Sequence, residues 1–314
     1  MSTQHERLKH LESKNQTTIL TIPQNFIQFN DMIGLPRHPS TLEPTPLMEY
    51  QNQFFNDIDH TDCHKFHVNK SRQIGFTELI LRILAFRCFN KYAAGNIIII
   101  AGTREQTAKA IMQRFKNLFY NISHEIVNQS DISLELKNGT IIKAYPSNSD
   151  SIRGLTKISA IFLDEAAHFN LIDDSKVMDA IQPIVDTNQS DLFMISTPNG
   201  PRGFFYDINT SENDFLKFTY NIYEAVGTIY TKEQAENMLA DTVHDTDQEF
   251  LNKFTTGRDS IWGEVTPEHR TDEEEMILDA DDLNEIQDVT IEEEIEPDIP
   301  AYAYSTGKSV IYPT

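Results

Sequence analysis

The chain has 314 residues, 39 % of them hydrophobic, which is enough apolar material for one sizeable core and a small second one. Its two cysteines, Cys63 and Cys88, stand at no partnering spacing, and no apolar run approaches the roughly 18 residues of a membrane span. A disulfide scaffold and a membrane protein are thereby excluded, and free thiols in a reducing cytosol are expected. The net charge of −22 argues against a nucleic-acid partner only until it is located: residues 264–298 hold 16 acids against one base, Arg270, and residues 1–263 are mildly acidic.

The N-terminal MSTQHERLKHLESKNQ is too polar for a signal peptide, so residues 1–21 read as a polar extension without chemistry. Ile22–Phe29 turns apolar, and a Pro-marked loop leads to a helix expected over Leu47–Ile58. Leu47, Tyr50, Phe54 and Ile58 fall at helical spacing and belong to the core. Gln51 lies on another face, either as a surface glutamine or as an amide that reads the edge of an adenine.

His64–Thr77, HKFHVNKSRQIGFT, has the order of a phosphate-binding loop: strand, tight turn, helix start. In the usual G-x-x-x-x-G-K-[ST], backbone N–H groups cradle phosphates, the lysine reaches the terminal ones and the hydroxyl sits on Mg²⁺. Aligned on Gly75 and Thr77, the first glycine position holds Lys70 and the lysine position holds Phe76. The cation is therefore expected from the front of the loop. Lys70, Ser71, Arg72, Gln73, Ile74, Gly75, Phe76 and Thr77 form the candidate cradle. Glu78 would put an unwelcome carboxylate beside phosphates unless it points away along the helix.

A buried helix is expected over Glu78–Tyr92, ended by Gly95, and Asn96–Ala101 (NIIIIA) reads as a strand buried on both faces. A helix from Thr103 to about Phe119 follows, with Thr103 as N-cap and Gln106 completing a capping box. Ile132–Tyr145 alternates around Asn138-Gly139, the signal of a hairpin with a type I′ turn. Alternating strands and helices with a hairpin insertion give an α/β domain.

Ile158–Leu163 is another buried strand, ending in Asp164 and Glu165. Acids at such a strand end face the crevice of the phosphate loop. Asp164 is suited to Mg²⁺ or one of its waters, and Glu165 to polarising the water that attacks a γ-phosphate. His168 has no second ligand at metal spacing and reads as a structural or surface histidine. Asp191–Gly200, DLFMISTPNG, is one more strand, and its end offers Ser196, Thr197 and Asn199. They form either a sensor of the γ-phosphate or a capped turn. The acidic stretch from residue 264 cannot bury enough apolar surface to fold alone and is expected to be disordered. Its function is read either as an autoinhibitory or partner-docking tail or as a solubilising remnant. The GKS triplet in Tyr304–Ser309 lacks the upstream glycine and strand and is coincidental.

Lys70–Thr77, LDEAAHF and ISTPNG, in this order and spacing, resemble the ATPase of the large terminase subunit of tailed viruses, over about Ile22–Trp262. The resemblance implies a RecA-like (additional-strand, ASCE) P-loop NTPase core, with a mostly parallel sheet and helices on both faces. It divides the chain into the extension 1–21, a motor domain 22–263 and the tail 264–314. It also implies ATP and Mg²⁺ as cofactors, hydrolysis of ATP to translocate double-stranded DNA into a procapsid, and residence in the host cytoplasm and transiently at the procapsid portal. The implied partners are a portal protein, a small terminase subunit and further copies in a homo-oligomeric ring. Ser151-Ile152-Arg153-Gly154 is similar to the family's S-x-R-G segment, which makes Arg153 an arginine finger acting across the ring interface. Gln51 falls where the family has its adenine-reading glutamine. Some terminases carry the lysine at the front of the loop with an aromatic before the Ser/Thr, as Lys70 and Phe76 do here. A departure is that only about 50 residues follow, where the family has an RNase-H-like nuclease of roughly 200. Nuclease activity is therefore not expected, and cutting would fall to a separate protein. The alternatives are a catalytically inactive or truncated remnant and a helicase-like ATPase outside packaging.

Overall fold

The computed structural model describes residues 21–256 apart from 39–40, 148–155, 170 and 242–244. The N-terminal extension up to residue 20, Arg153 with its Ser-x-Arg-Gly segment, the acidic tail and the GKS triplet lie outside the described residues. Asn25 caps α1 (Phe26–Ile33), its side-chain oxygen accepting from the N–H groups of Ile27 and Gln28. α2 (Glu49–Asp59) buries Tyr50, Phe54 and Ile58 as their spacing predicts, and buries Gln51 with them. β1 (Lys65–Lys70) then runs through a loop into α3 (Phe76–Arg87).

α3 ends five residues before the expected Tyr92. The N–H of Tyr92 turns back to the Arg87 carbonyl at 2.8 Å, closing a series of tight turns. Gly95 is needed for a different reason than ending the helix: a Cβ there would stand 2.0 Å from Ser159 Oγ. β2 (Asn96–Ala101) leads through Gly102, at φ +58, to α4 (Glu105–Asn117). The left-handed glycine uses Thr103 in the turn. Arg104 takes the N-cap position with no side-chain bond, and the expected Thr103–Gln106 capping box is not formed.

β3 (Ile126–Ser130), β4 (Ser133–Leu136) and β5 (Ile141–Tyr145) form an antiparallel meander. The hairpin falls where Asn138-Gly139 signalled it, but the turn is not type I′. Only Gly139 of that pair has positive φ, and its N–H bonds the Leu136 carbonyl at 2.9 Å. Asn138 is held otherwise because its amide donates to the Cys88 carbonyl at 2.8 Å and accepts from the Thr140 N–H at 3.0 Å. This is a type I turn followed by a left-handed glycine.

β6 (Ile158–Asp164), α5 (Leu171–Asn188), β7 (Asp191–Ser196), α6 (Gly203–Thr210), β8 (Leu216–Tyr220), α7 (Lys232–Leu239) and the single turn α8 (Thr246–Glu249) complete the described chain. The eight strands form one sheet in the order β3-β4-β5-β2-β6-β7-β1-β8, parallel from β5 to β8. Alternation divides each buried strand between two cores. Phe66, Ile97, Ile99, Phe162 and Phe193 pack toward α1–α4, while Ile98, Ile100, Leu163 and Met194 pack toward α5 and α6. The expected RecA-like layout holds, because β7 stands between β1 and β6 as the additional strand separating the loop strand from the acidic one.

Candidate active site

Sheet register sets the site. Asn69 pairs with Ser196 and Asp164 with Ile195, so Lys70, the Asp164-Glu165 pair and Ser196-Thr197 emerge together at the C-terminal edge of the sheet. The loop after β1 is pinned on several sides. The Ser71 N–H donates to the Tyr220 carbonyl at 2.7 Å, the Arg72 N–H to the Glu249 carbonyl at 3.0 Å, and the Tyr50 hydroxyl to the Ile74 carbonyl. Gly75 is required twice over: it is left-handed at φ +83, and a Cβ would stand 2.9 Å from Gln51 Nε2. Gln73 shares the left-handed conformation at φ +57.

Phe76 opens α3 and turns into the core against Tyr220, Phe54 and Tyr50, with ring centroids 4.7, 5.4 and 5.9 Å away. The usual lysine position is thus filled by a packing residue. Lys70 instead brings its charge to the cleft: its Nζ donates to Glu165 Oε1 at 2.6 Å from a side chain only 5 % exposed.

The two carboxylates have separate surroundings. Asp164 Oδ1 accepts from the Thr77 hydroxyl at 2.9 Å. Burial and the neighbouring Glu165 charge push the Asp164 pKa up to about 6, against the opposing pull of Thr77, Lys70 and Arg114. Glu165 sits in the left-handed region at φ +54, where a side chain costs about 1–2 kcal/mol, the kind of strain held at functional positions. Its Oε2 accepts from the Ser196 hydroxyl at 3.3 Å and the Thr197 N–H at 3.4 Å. Burial would raise the Glu165 pKa, but the Lys70 ammonium outweighs it and holds the carboxyl below its usual range. His168 bonds the Thr197 hydroxyl at 2.8 Å, consistent with its structural reading. No cluster of three metal-ligating His, Cys, Asp or Glu side chains occurs among the described residues.

A cleft of about 450 Å³ lies over the loop, reaching from Lys70, Thr77 and Glu165 to Met48 and Gln51. Gln51 is 4 % exposed, so it is not a surface glutamine. Its Oε1 accepts from the Met48 N–H at 3.1 Å and its Nε2 lies against Gly75. Arg72 lines the same cleft and forms an ion pair with Glu249 at 3.1 Å. Glu78 turns along α3 to Arg82, 2.9 Å away, which resolves the awkward charge after Thr77. Sequence reasoning missed the hold of Tyr50 on the loop and the clamp from the 245–252 segment. Tyr50 was legible only as an apolar repeat, and no local pattern links Glu249 to a loop 177 residues earlier.

The profile of the family described as "Terminase large subunit, T4likevirus-type, N-terminal" matches residues 68–255, more than half of the chain. The chain belongs to the terminase large subunit family. With the family comes a role in viral DNA packaging, as its ATPase motor subunit. Solved structures share the fold of this terminase chain. The Thermus phage P74-26 large terminase ATPase domain superposes with a TM-score of 0.54 at 20 % identity, covering 73 % of this chain and 98 % of that one. The bacteriophage HK97 large terminase gives 0.54 at 16 % identity, over 68 % of this chain and 50 % of that one. The large terminase of the thermophilic bacteriophage D6E in complex with ADP gives 0.52 at 14 % identity, over 67 % and 54 %. This terminase chain therefore matches about half the length of the whole large terminases.

Proposed function

We propose that this terminase chain hydrolyses ATP with Mg²⁺ to translocate double-stranded DNA into a procapsid, with residues 22–263 as the motor between the extension 1–21 and the tail 264–314. The observation that carries the reading is the pair of contacts at the sheet edge: Lys70 on Glu165 at 2.6 Å and Thr77 on Asp164 at 2.9 Å. Four side chains drawn from the loop, its helix and the acidic strand meet where phosphates would lie. Thr77 and Asp164 offer hard oxygen donors, and burial with the Glu165 charge disfavours ionised Asp164 despite Lys70 and Arg114, a deficit that a bound cation relieves, so these residues fit Mg²⁺. Bound there, Mg²⁺ would neutralise charge on the β- and γ-phosphates.

The remaining steps fall to the chain itself. The loop N–H groups from Gln73 onward and Lys70 bind the phosphates, with Lys70 exchanging Glu165 for the nucleotide. Glu165, released, orients the attacking water while Ser196 and Thr197 hold its other oxygen and sense the terminal phosphate. Gln51 reads the base from the far end of the cleft; the D6E relative bound to ADP supports nucleotide in such a fold. Arg153 is assigned as the finger that completes a neighbouring site in a homo-oligomeric ring. The portal protein and small terminase subunit are the expected partners, at the procapsid portal in the host cytoplasm, with DNA cleavage assigned to a nuclease outside the described residues. Among the described residues no helix is long and apolar enough to cross a membrane. Against the inactive-remnant alternative, Phe76 in the core and Glu78 on Arg82 both leave the cleft over the loop open.

Glu165→Gln is expected to bind Mg-ATP without hydrolysing it, whereas Asp164→Asn loses metal-dependent binding. Steady-state ATPase assays with and without duplex DNA and portal, beside nucleotide titrations, measure both. Two variants that bind and turn over Mg-ATP alike would overturn the assignment.

A further inference from the structure

Glu78 follows Thr77 directly, and two arginines take its two carboxylate oxygens: Arg82 Nε lies 2.9 Å from Oε1, and Arg114 Nη2 lies 3.6 Å from Oε2. The two cations differ in kind. Arg82 is 4 % exposed and also donates to Asn30 Oδ1 at 3.0 Å and to the Gly34 carbonyl at 2.8 Å, which fixes it in place. Arg114 projects from the last turn of α4 with its side chain 49 % exposed. Its contact with Glu78 is too long for a hydrogen bond and partly solvated, so it is cheap to give up.

Arg114 lines the same cleft as Lys70, Thr77 and Glu165. It also lines an adjoining groove that contains Arg82 and Glu78, so it stands at the wall between the two. Its charge acts on Asp164, one of the two residues that would hold the metal. Resting on the ATPase reading above, we propose that Arg114 is a further phosphate-binding residue, which leaves Glu78 for the terminal phosphate and makes the cleft prefer a nucleoside triphosphate over a diphosphate. Arg82 remains on Glu78 throughout, so the departure of Arg114 leaves no uncompensated carboxylate beside the phosphates. A guanidinium fork matches phosphate oxygens, and charge-assisted hydrogen bonds to an anion outweigh a loose exposed ion pair.

The test measures the affinity of the full chain for a non-hydrolysable Mg-ATP analogue and for Mg-ADP by fluorescence titration. It compares wild type, Arg114→Ala, Arg114→Lys and Lys109→Ala, with thermal melts confirming folding. Lys109 lies on the same helix and pairs with Glu105, so its removal deletes equal charge away from the cleft. The expected result is a loss of about tenfold or more in triphosphate affinity for Arg114→Ala, with ADP changed less than about threefold. Arg114→Lys recovers part of the loss, and Lys109→Ala matches wild type. Equal losses for both nucleotides, no loss for either, or the same loss in Lys109→Ala would overturn the role of Arg114 while leaving the ATPase reading intact. A wild-type chain that binds neither nucleotide would overturn that reading, and this inference with it.

Discussion

At the start of β7, Asp191 is fully buried, and its two carboxylate oxygens take His64 at 2.9 Å, Arg87 at 2.9 Å, Lys91 at 2.8 Å and the Tyr92 hydroxyl. At the opposite edge of the same sheet the adjacent carboxylates Asp164 and Glu165 have one cation in contact, Lys70 on Glu165, while the Arg114 charge also acts on Asp164. The first cluster has donors in excess and no vacancy. Arg87 is anchored further to the Ile58 carbonyl and Asp59, both at 3.3 Å, so the end of α3, the end of α2 and the entries to β1 and β7 are tied together. The second cluster is short of positive charge and opens onto a cleft; Glu165 keeps 41 % of its side chain exposed. Their pKa shifts follow. The cations around Asp191 hold its carboxyl low against burial, whereas burial and Glu165 drive Asp164 up. Buried charge that is saturated locks a fold; buried charge left short of a counter-ion is a site that a ligand completes.

The largest test of this contrast is Asp191→Ala. Removing the carboxylate leaves buried Arg87 with only the longer contacts to Asp59 and the Ile58 carbonyl, and breaking a buried pair in this way costs about 3–5 kcal/mol. Urea denaturation should show that loss, with nucleotide affinity per folded molecule unchanged. A variant as stable as wild type would mean that Asp191 is no lock.

Lys70→Ala sharpens the contrast from the other side. Turnover should fall by about 10²–10³, the scale for losing one preorganised group that stabilises developing charge. The urea midpoint should move little, because Glu165 keeps the Ser196 hydroxyl and Thr197 N–H and is open to water. Undiminished turnover would return the catalytic cation to another residue.

This asymmetry explains how much could be read from the sequence. Each side of the open site sits on one contiguous motif, because a strand end and the loop behind it carry the groups: Lys70–Thr77, Asp164-Glu165 and Ser196-Thr197 were all legible. The alternating and all-apolar runs also gave the strands and the layered fold. The lock was not legible, since His64, Arg87, Lys91 and Asp191 come from three separate segments and each looks like an ordinary surface residue. The misplaced details share this cause only in part. The turn at Asn138 was set by a long-range contact, Asn138 on Cys88, that overrides local propensity, while the end of α3 and the start of α4 were set by turns that the periodicity does not reveal.

The smallest effect concerns acid. Burial alone would raise the Asp191 pKa, but Arg87 first, then Lys91 and the Tyr92 hydroxyl, hold it below its ordinary 3.8. A carboxyl whose folded pKa is depressed contributes stability that is complete above its unfolded value and is lost as pH falls through the folded one. The deficit of Asp191→Asn in unfolding free energy should therefore be the same at about pH 8 and 5 and shrink only near pH 3. The comparison belongs in a His64→Gln background, because His64 bonds the same carboxylate. Arg87 and Tyr92, both shifted upward, keep their protons throughout. A deficit that already fades between pH 8 and 5 would mean that the cations do not hold Asp191 ionised, and the distinction between the saturated and the open cluster would fail at its saturated end.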